Sequence, residues 1–347
     1  MKFTDGYWGL KEGVRLFSPA EAREVWTAAA SMTVFGPCKT IRHRGDTLNT
    51  AQLTFTFSSP LEDVIRVHIC HFKGGRKRRP DFELNTDGGL LPRIEKTPEA
   101  VSLSSGRTSV VVKAADGWAV DFFFDGRRIT GSARGNAGYL IDAAGAPHMR
   151  EQLSLGVGEC IYGLGERFTP FVKNGQVVET WNEDGGTSSE QAYKNIPFYL
   201  SSSGYGVLVA HPERVSFEIA SEVVSRAQFS VSGEELEYYV IGGASPKEAL
   251  KKYTELTGRP ALPPAWSFGL WLTTSFTTTY DETTVNTFIE GMRERRVPLH
   301  VFHFDCFWMK EFQWCDFEWD AAQFPDPQGI LKRLKDKGLR ISVWINP

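Results

Sequence analysis

The stretch LHVFHFDCFWMKEFQWCDFEWD, residues 299–320, decides how this chain is read. Its first part, Leu299–Phe307, is a β-prone run in which Val301, His303, Asp305 and Phe307 share one side of a two-residue period. An acid thus sits at the tip of an otherwise apolar strand. From His300 to Asp320, five carboxylates lie among eight Phe and Trp rings. A packed core has no use for the acids, and a solvated surface has no use for the rings. A sugar site uses both, because pyranose C–H faces stack on rings while hydroxyls bond to carboxylates. The plainer alternative is core packing beside a solvated loop, since concave aromatic and polar sites are few per protein.

Working outward, strands and helices alternate. WSFGLWLTT (Trp266–Thr274) reads as a strand before the quoted one, and LRISVWINP (Leu339–Pro347) as a strand after it. Between the first two, Asp281 is placed to cap a helix with Val285, Phe288, Ile289 and Met292 on its inner face. Between the last two, Asp326 caps a helix that begins at Pro327, turns Ile330, Leu331 and Leu334 inward and stops at Gly338. This alternation predicts parallel strands with right-handed crossovers. The long aromatic connections follow the strands, as the active-site loops of a TIM barrel do.

Residues 1 to about 243 have another grammar. SVVVKAADGWAVDFFFDGRRITGS (Ser109–Ser132) carries two hairpin signals, Asp116-Gly117 and Asp125-Gly126. Val215, Phe217 and Ile219 alternate with polar residues, as do Phe229 and Val231, which predicts one buried and one wet face. Many short strands with regular turns predict an antiparallel β-sandwich. At GGASPKEALKKYTELTGRPALPPAW the pattern turns helical. Ser245 is an N-cap, Pro246 fits the first turn and Glu248 completes a capping box. Ala249, Leu250, Tyr253 and Leu256 form the apolar stripe, Gly258 ends the helix, and RPALPP reads as a linker. The expected organisation is a sandwich over 1–244, a helix and Pro-rich linker over 245–265, and the first three strands of a β/α barrel over 266–347.

Composition excludes several classes. The net charge is −3 with no long run of one sign, so no nucleic-acid footprint is readable. No apolar run reaches the roughly 18 residues of a membrane span. The segment after Lys2 has no apolar core, so no signal peptide is read. Five cysteines, Cys38, Cys70, Cys160, Cys306 and Cys315, form no C-x-x-C pair, which predicts neither zinc nor a disulfide framework and suits reduced thiols in the cytoplasm. His300 and His303 make a poor metal pair, because residues three apart on a strand face opposite ways. GLGERF lacks the third glycine and the βαβ setting of a dinucleotide loop. A doubly wound nucleotide-binding reading of 246–347 likewise lacks a glycine fingerprint.

Four motifs carry a family resemblance: YGLGERF (Tyr162–Phe168), ETWNEDGGTSSEQAYKNIPFY (Glu179–Tyr199), GRPALPPAWSFGLWLTTSF (Gly258–Phe276) and HVFHFDCFWMKEFQWCDFEWD. With them the chain resembles glycoside hydrolase family 31, in its bacterial α-xylosidase branch. The resemblance implies a galactose-mutarotase-like β-sandwich followed by a TIM (β/α)8 barrel, retaining cleavage of terminal α-linked sugars, and no metal or other cofactor. The implied substrate is an α-xyloside oligosaccharide of the xyloglucan type, and full-length members are homo-oligomers, often hexamers.

By the same resemblance, Asp305 holds hydroxyls of the nonreducing sugar. Cys306 and Phe307 crowd the space where glucose would carry its CH2OH, Phe276 and Trp344 wall the pocket, and Trp314 lies near its mouth. Asp184, in WNEDGG, reaches in from the sandwich. Other readings stay open: Cys306 as a nucleophile, though nothing nearby reads as its base, and Trp344 as plain barrel core. Retaining glycosidases need a nucleophile and an acid/base carboxylate. The family places both on later strands, with the nucleophile in a Lys-x-Asp-x-Gly-Glu-like motif that this sequence lacks, so no catalytic residue is assigned; Asp305 and Glu311 receive binding or structural roles. The expectation is a truncated chain that is inactive alone. Alternatives are an α-glucosidase of the same family and a non-catalytic carbohydrate-binding or assembly module.

Overall fold

The computed structural model describes residues 1–347 apart from 7–8, 76–79, 87–89, 115–116, 184–188, 276 and 347. The chain divides into two compact units, Met1–Arg259 and Pro260–Pro347.

Among the described residues, the first unit holds sheets of six, five and eight strands. Their ladders are antiparallel throughout. Their apolar faces meet in one core, to which Phe55, Phe57 and Val67 come from the eight-stranded sheet, Phe217 and Phe229 from the six-stranded one, and Val110 and Phe122 from the five-stranded one. Each such ring or branched chain, fully removed from water, contributes about 1.5–3 kcal/mol. Asp125-Gly126 makes the predicted two-residue hairpin: Phe124 pairs with Arg127, and both turn residues have left-handed φ, 50° and 74°. The other hairpin signal includes Asp116, which lies outside the described residues.

The expected wet face of Val215–Ile219 is not wet. All five residues are buried, as are Gln228 and Ser230 on the neighbouring strand. The covering comes from the far N-terminus, where the Lys2 amide donates to Glu218 (2.7 Å) and the Lys2 ammonium to Ser216 (2.9 Å). Alternation reports which residues share a face, and a second layer can bury the polar one as well.

The helix Pro246–Thr257 packs on the eight-stranded sheet, with Ala249 and Leu256 buried and Tyr253 stacked on Phe198 at 3.8 Å. Leu250 is 42% exposed, so it does not belong to the stripe. Ser245 caps as expected, accepting from the Glu248 amide, but the capping box does not close. The Glu248 carboxylate instead accepts from the Ala244 amide (2.8 Å) and pairs with Arg107 and Lys252. Two cations compete for this carboxylate, and that competition is invisible in a local pattern.

The second unit is a parallel sheet in the order Trp271–Leu272, Val301–Phe304, Arg340–Val343, with helices Glu282–Glu294 and Pro327–Asp336 between the strands. Its core joins Val285 and Ile289 of one helix, Ile330 and Leu334 of the other, and Phe302 and Phe304 of the central strand. Phe288, expected inside, is 38% exposed. The strands are shorter than read. Ala265–Phe268 forms a 3-10 turn, because the Ser267 amide and hydroxyl both donate to the Pro264 carbonyl. The central strand ends at Phe304, since Asp305 bonds its own next amide and opens a second such turn over Cys306–Trp308. Phe307 therefore sits on a turn and does not share the strand face with Val301 and His303. Among the described residues, no helix is long and apolar enough to cross a membrane.

Candidate functional site

The site is built at the C-terminal end of the central strand. The Asp305 carboxylate accepts from the Cys306 amide (2.7 Å) and from the Ser275 hydroxyl (3.2 Å), which fixes both oxygens. The Asp305 amide donates to the Tyr280 phenol (3.0 Å), and that phenol donates to the Ser275 carbonyl (2.8 Å). Tyr280 is wholly buried, and burial pushes its phenol above the usual range. Ser275 has a left-handed φ of 49°, an uncommon state for a residue with a Cβ, held here by these two bonds. The sequence reading missed Tyr280 and Ser275. Both lie in TTSFTTTYDE, where only the helix cap Asp281 gave a signal.

Aromatic rings stand beside the acid. Phe307 lies 6.1 Å from Trp314, and Trp314 meets Trp344 edge to face at 6.3 Å. Such pairs stabilise by about 0.5–1.5 kcal/mol beyond area burial. Trp344, on the strand end next to Asp305, donates its amide to the Phe304 carbonyl (2.8 Å) and receives the Trp308 indole N–H on its own carbonyl (2.7 Å). The Trp314 indole nitrogen is buried and has no hydrogen-bond partner among the described residues. A buried donor left open is costly and calls for an explanation.

Cys306 is buried, and desolvation followed by the nearby Asp305 charge pushes its thiol up to about 11. The thiol is thus held protonated, and the nucleophile reading loses its footing. His303, two residues before Asp305, shares a hydrogen bond with the Ser342 hydroxyl (3.0 Å), and burial lowers its imidazole against the opposing pull of Asp305. Of the sequence-derived residues, Asp305, Cys306, Phe307, Trp314 and Trp344 are gathered at two adjacent strand ends. Asp184 and Phe276 lie outside the described residues. Among the described residues, no cluster of three or more His, Cys, Asp and Glu side chains is arranged to hold a metal.

With this geometry in place, comparison with known proteins is informative. Residues 53–218 match the glycosyl hydrolase 31 N-terminal galactose mutarotase-like domain, and residues 260–347 the glycosyl hydrolases family 31 TIM-barrel domain. The whole chain is 52% identical to the α-xylosidase XylQ of Lactiplantibacillus pentosus and covers 45% of that protein. It is 49% identical to an α-xylosidase of Emericella nidulans, again over its full length and 47% of the relative. A Flavobacterium johnsoniae family 31 dextranase complexed with glucose superposes with a TM-score of 0.77 at 21% identity, over 96% of this chain and 39% of that one. A family 31 α-xylosidase from a soil metagenome, complexed with xylose, superposes with a TM-score of 0.71 at 17% identity, over 93% and 47%. These two likenesses concern the fold alone. The chain thus spans slightly less than half the length of the curated relatives it matches, across both a mutarotase-like sandwich and part of a barrel. Domain matches and whole-chain identity agree that the chain belongs to glycoside hydrolase family 31.

Proposed function

We infer that this chain supplies the sugar-binding half of an α-xylosidase, one that releases terminal α-D-xylose from xyloglucan-type oligosaccharides. The observation that carries the reading is Asp305: a carboxylate fixed at a strand tip by Ser275 and Cys306, beside the rings of Phe307, Trp314 and Trp344. In this role Asp305 accepts from two sugar hydroxyls, and Trp344 presents a ring face to the pyranose. Cys306 and Phe307 fill the space a CH2OH would need, which favours xylose over glucose. A pocket that tells one carbon group from none discriminates by roughly 10–200-fold. The relatives named α-xylosidase at about half identity support this choice over α-glucosidase.

No pair of carboxylates in the chain is assigned as nucleophile and acid/base, so these residues bind without turnover. The full protein is read as a cytoplasmic homo-oligomer, a placement supported by five free cysteines. The experiment is an equilibrium titration of the purified chain with D-xylose and D-glucose, run beside an assay with p-nitrophenyl α-xyloside. Binding that prefers xylose, is lost in Asp305→Asn and comes without nitrophenol release supports the reading. Equal binding of both sugars, or hydrolysis by the chain itself, contradicts it.

A further inference from the structure

The loop between Asp305 and the helix Pro327–Asp336 folds back on itself, with Met309 bridged to Trp319 and Phe324 buried in the core of the second unit. Near its end stands Gln323, a half-buried amide with no signal in the sequence pattern. Its side chain reaches three segments at once. The Oε1 atom accepts the Tyr280 amide (2.6 Å), while Nε2 donates to the Phe307 carbonyl (3.3 Å) and to the Asp320 carboxylate (3.4 Å). Asp320 is itself held by the Ala322 amide, which donates to its other oxygen (3.0 Å).

The partners settle which way the amide faces. A backbone N–H needs an acceptor, whereas a carbonyl and a carboxylate each need a donor. Turning the amide over would set Nε2 against the Tyr280 N–H and Oε1 against two other oxygens, losing all three bonds. One acceptor and two donors on a single planar head are what an amide offers. Glutamate supplies the acceptor without the donors, and methionine supplies no donor and only a weak acceptor.

Both ends of this bridge lead to the site. At one end the backbone of Tyr280 is fixed, and its phenol in turn bonds the Asp305 amide and the Ser275 carbonyl. At the other end the fixed group is the carbonyl of Phe307, on the turn Cys306–Trp308. That turn is held beyond Phe307 as well: the Asp320 amide donates to the Trp308 carbonyl (2.9 Å), and the Trp308 indole to the Trp344 carbonyl (2.7 Å). Gln323 adds a hold on Phe307 itself. A ring that discriminates by excluding one carbon group must keep its place to within about 0.5 Å. We propose that Gln323 is a positioning residue that sets the preference for xylose over glucose. It acts through Phe307 on the space denied to a CH2OH, and through Tyr280 on the Asp305 carboxylate. The preference rests on the α-xylosidase reading, but the bridge between the two loops does not. A residue that only stabilised the loop would, when replaced, weaken both sugars alike, whereas one that sets the wall changes their ratio.

The test uses the whole chain, with calorimetric titration of D-xylose and D-glucose, amide hydrogen exchange read by NMR, and melting curves to establish folding. Gln323→Glu keeps the acceptor for Tyr280 but sets an anion against the Phe307 carbonyl and Asp320. It is expected to leave the Tyr280 amide protected, to retain xylose binding, and to lower the xylose-to-glucose affinity ratio by about tenfold. Gln323→Met loses both ends of the bridge. Its Tyr280 amide is expected to exchange about tenfold faster, and its xylose affinity to fall along with the ratio. In a Phe307→Ala background, Gln323→Glu is expected to change the ratio no further, because the two residues act on one wall. A ratio unchanged in both Gln323 variants overturns the proposal, as does a Gln323→Glu effect that persists in full without the Phe307 ring. A chain that binds neither sugar sinks the xylosidase reading and the preference with it. The bridge is then judged by exchange alone, and Tyr280 protection unchanged in Gln323→Met overturns that too.

Discussion

The phenol of Tyr280 joins two segments of the site: it receives the Asp305 amide at 3.0 Å and donates to the Ser275 carbonyl at 2.8 Å. Removing that one oxygen leaves a donor and an acceptor without partners in a buried place. Tyr280→Phe is therefore expected to destabilise the second unit by about 1–3 kcal/mol, read as a lower urea midpoint. It is also expected to weaken xylose binding, because the Ser275 hydroxyl and the Asp305 carboxylate lose their common anchor. Unchanged stability and affinity would show that the phenol is a bystander.

A second expectation concerns the helix that follows. Asp281 accepts from the Thr284 amide (3.0 Å) and from the hydroxyls of Thr284 (2.6 Å) and Thr279 (2.7 Å). These bonds, led by the Thr284 side chain, hold its carboxyl at about 2. The folded value is below the ordinary one, so the cap's contribution is fully present above about pH 4 and is lost as pH falls toward the folded value. Asp281→Ala is expected to cost about 1 kcal/mol at neutral pH, and the gap from the native chain should close in acid. A gap that persists in acid would mean that the carboxylate charge does not support the cap.

Glu151 behaves in the opposite sense. It is buried in the sandwich core, where desolvation raises its carboxyl despite bonds from the Ser132 hydroxyl (2.6 Å), the Gln152 amide (2.8 Å) and the Tyr238 phenol (3.2 Å). A raised folded value means that its contribution is complete below the ordinary glutamate range and declines as pH rises through the folded value. Glu151→Gln does not titrate. The native urea midpoint is therefore expected to fall relative to the variant's as the pH is raised above the ordinary glutamate range. Parallel pH profiles for the two proteins would contradict a neutral buried acid.

The thiols offer a direct test of burial at the site. Desolvation raises Cys306 and Cys70 to about 11 each and Cys38 to about 12, whereas Cys315 is exposed on the loop that carries Trp314. Brief iodoacetamide treatment of the native chain, followed by mass spectrometry, is expected to modify Cys315 and to spare Cys306. Equal labelling of Cys306 would reopen its reading as an activated thiol.

Much of this was legible in the residues. Asp125-Gly126 announced its hairpin, Ser245, Asp281 and Asp326 announced their helices, and the run after residue 299 announced an acid at a strand end beside aromatic rings. These signals are local, set by backbone conformations and caps that span a few residues. What stayed hidden depends on distant partners. Ser216 and Glu218 are buried because Lys2 covers them, more than two hundred residues away in sequence. Glu248 abandons its capping box for Arg107, and Tyr280 looks like an ordinary residue before a helix until Asp305 folds against it. The early end of the central strand was also unreadable, because Asp305 bonds its own neighbour in place of continuing the ladder.

The most direct test is a crystal structure of the chain soaked with D-xylose. The account predicts the sugar beside Trp344 and Phe307, with hydroxyls on both Asp305 oxygens. Xylose bound elsewhere, with Asp305 still engaged only by Ser275 and Cys306, would contradict it.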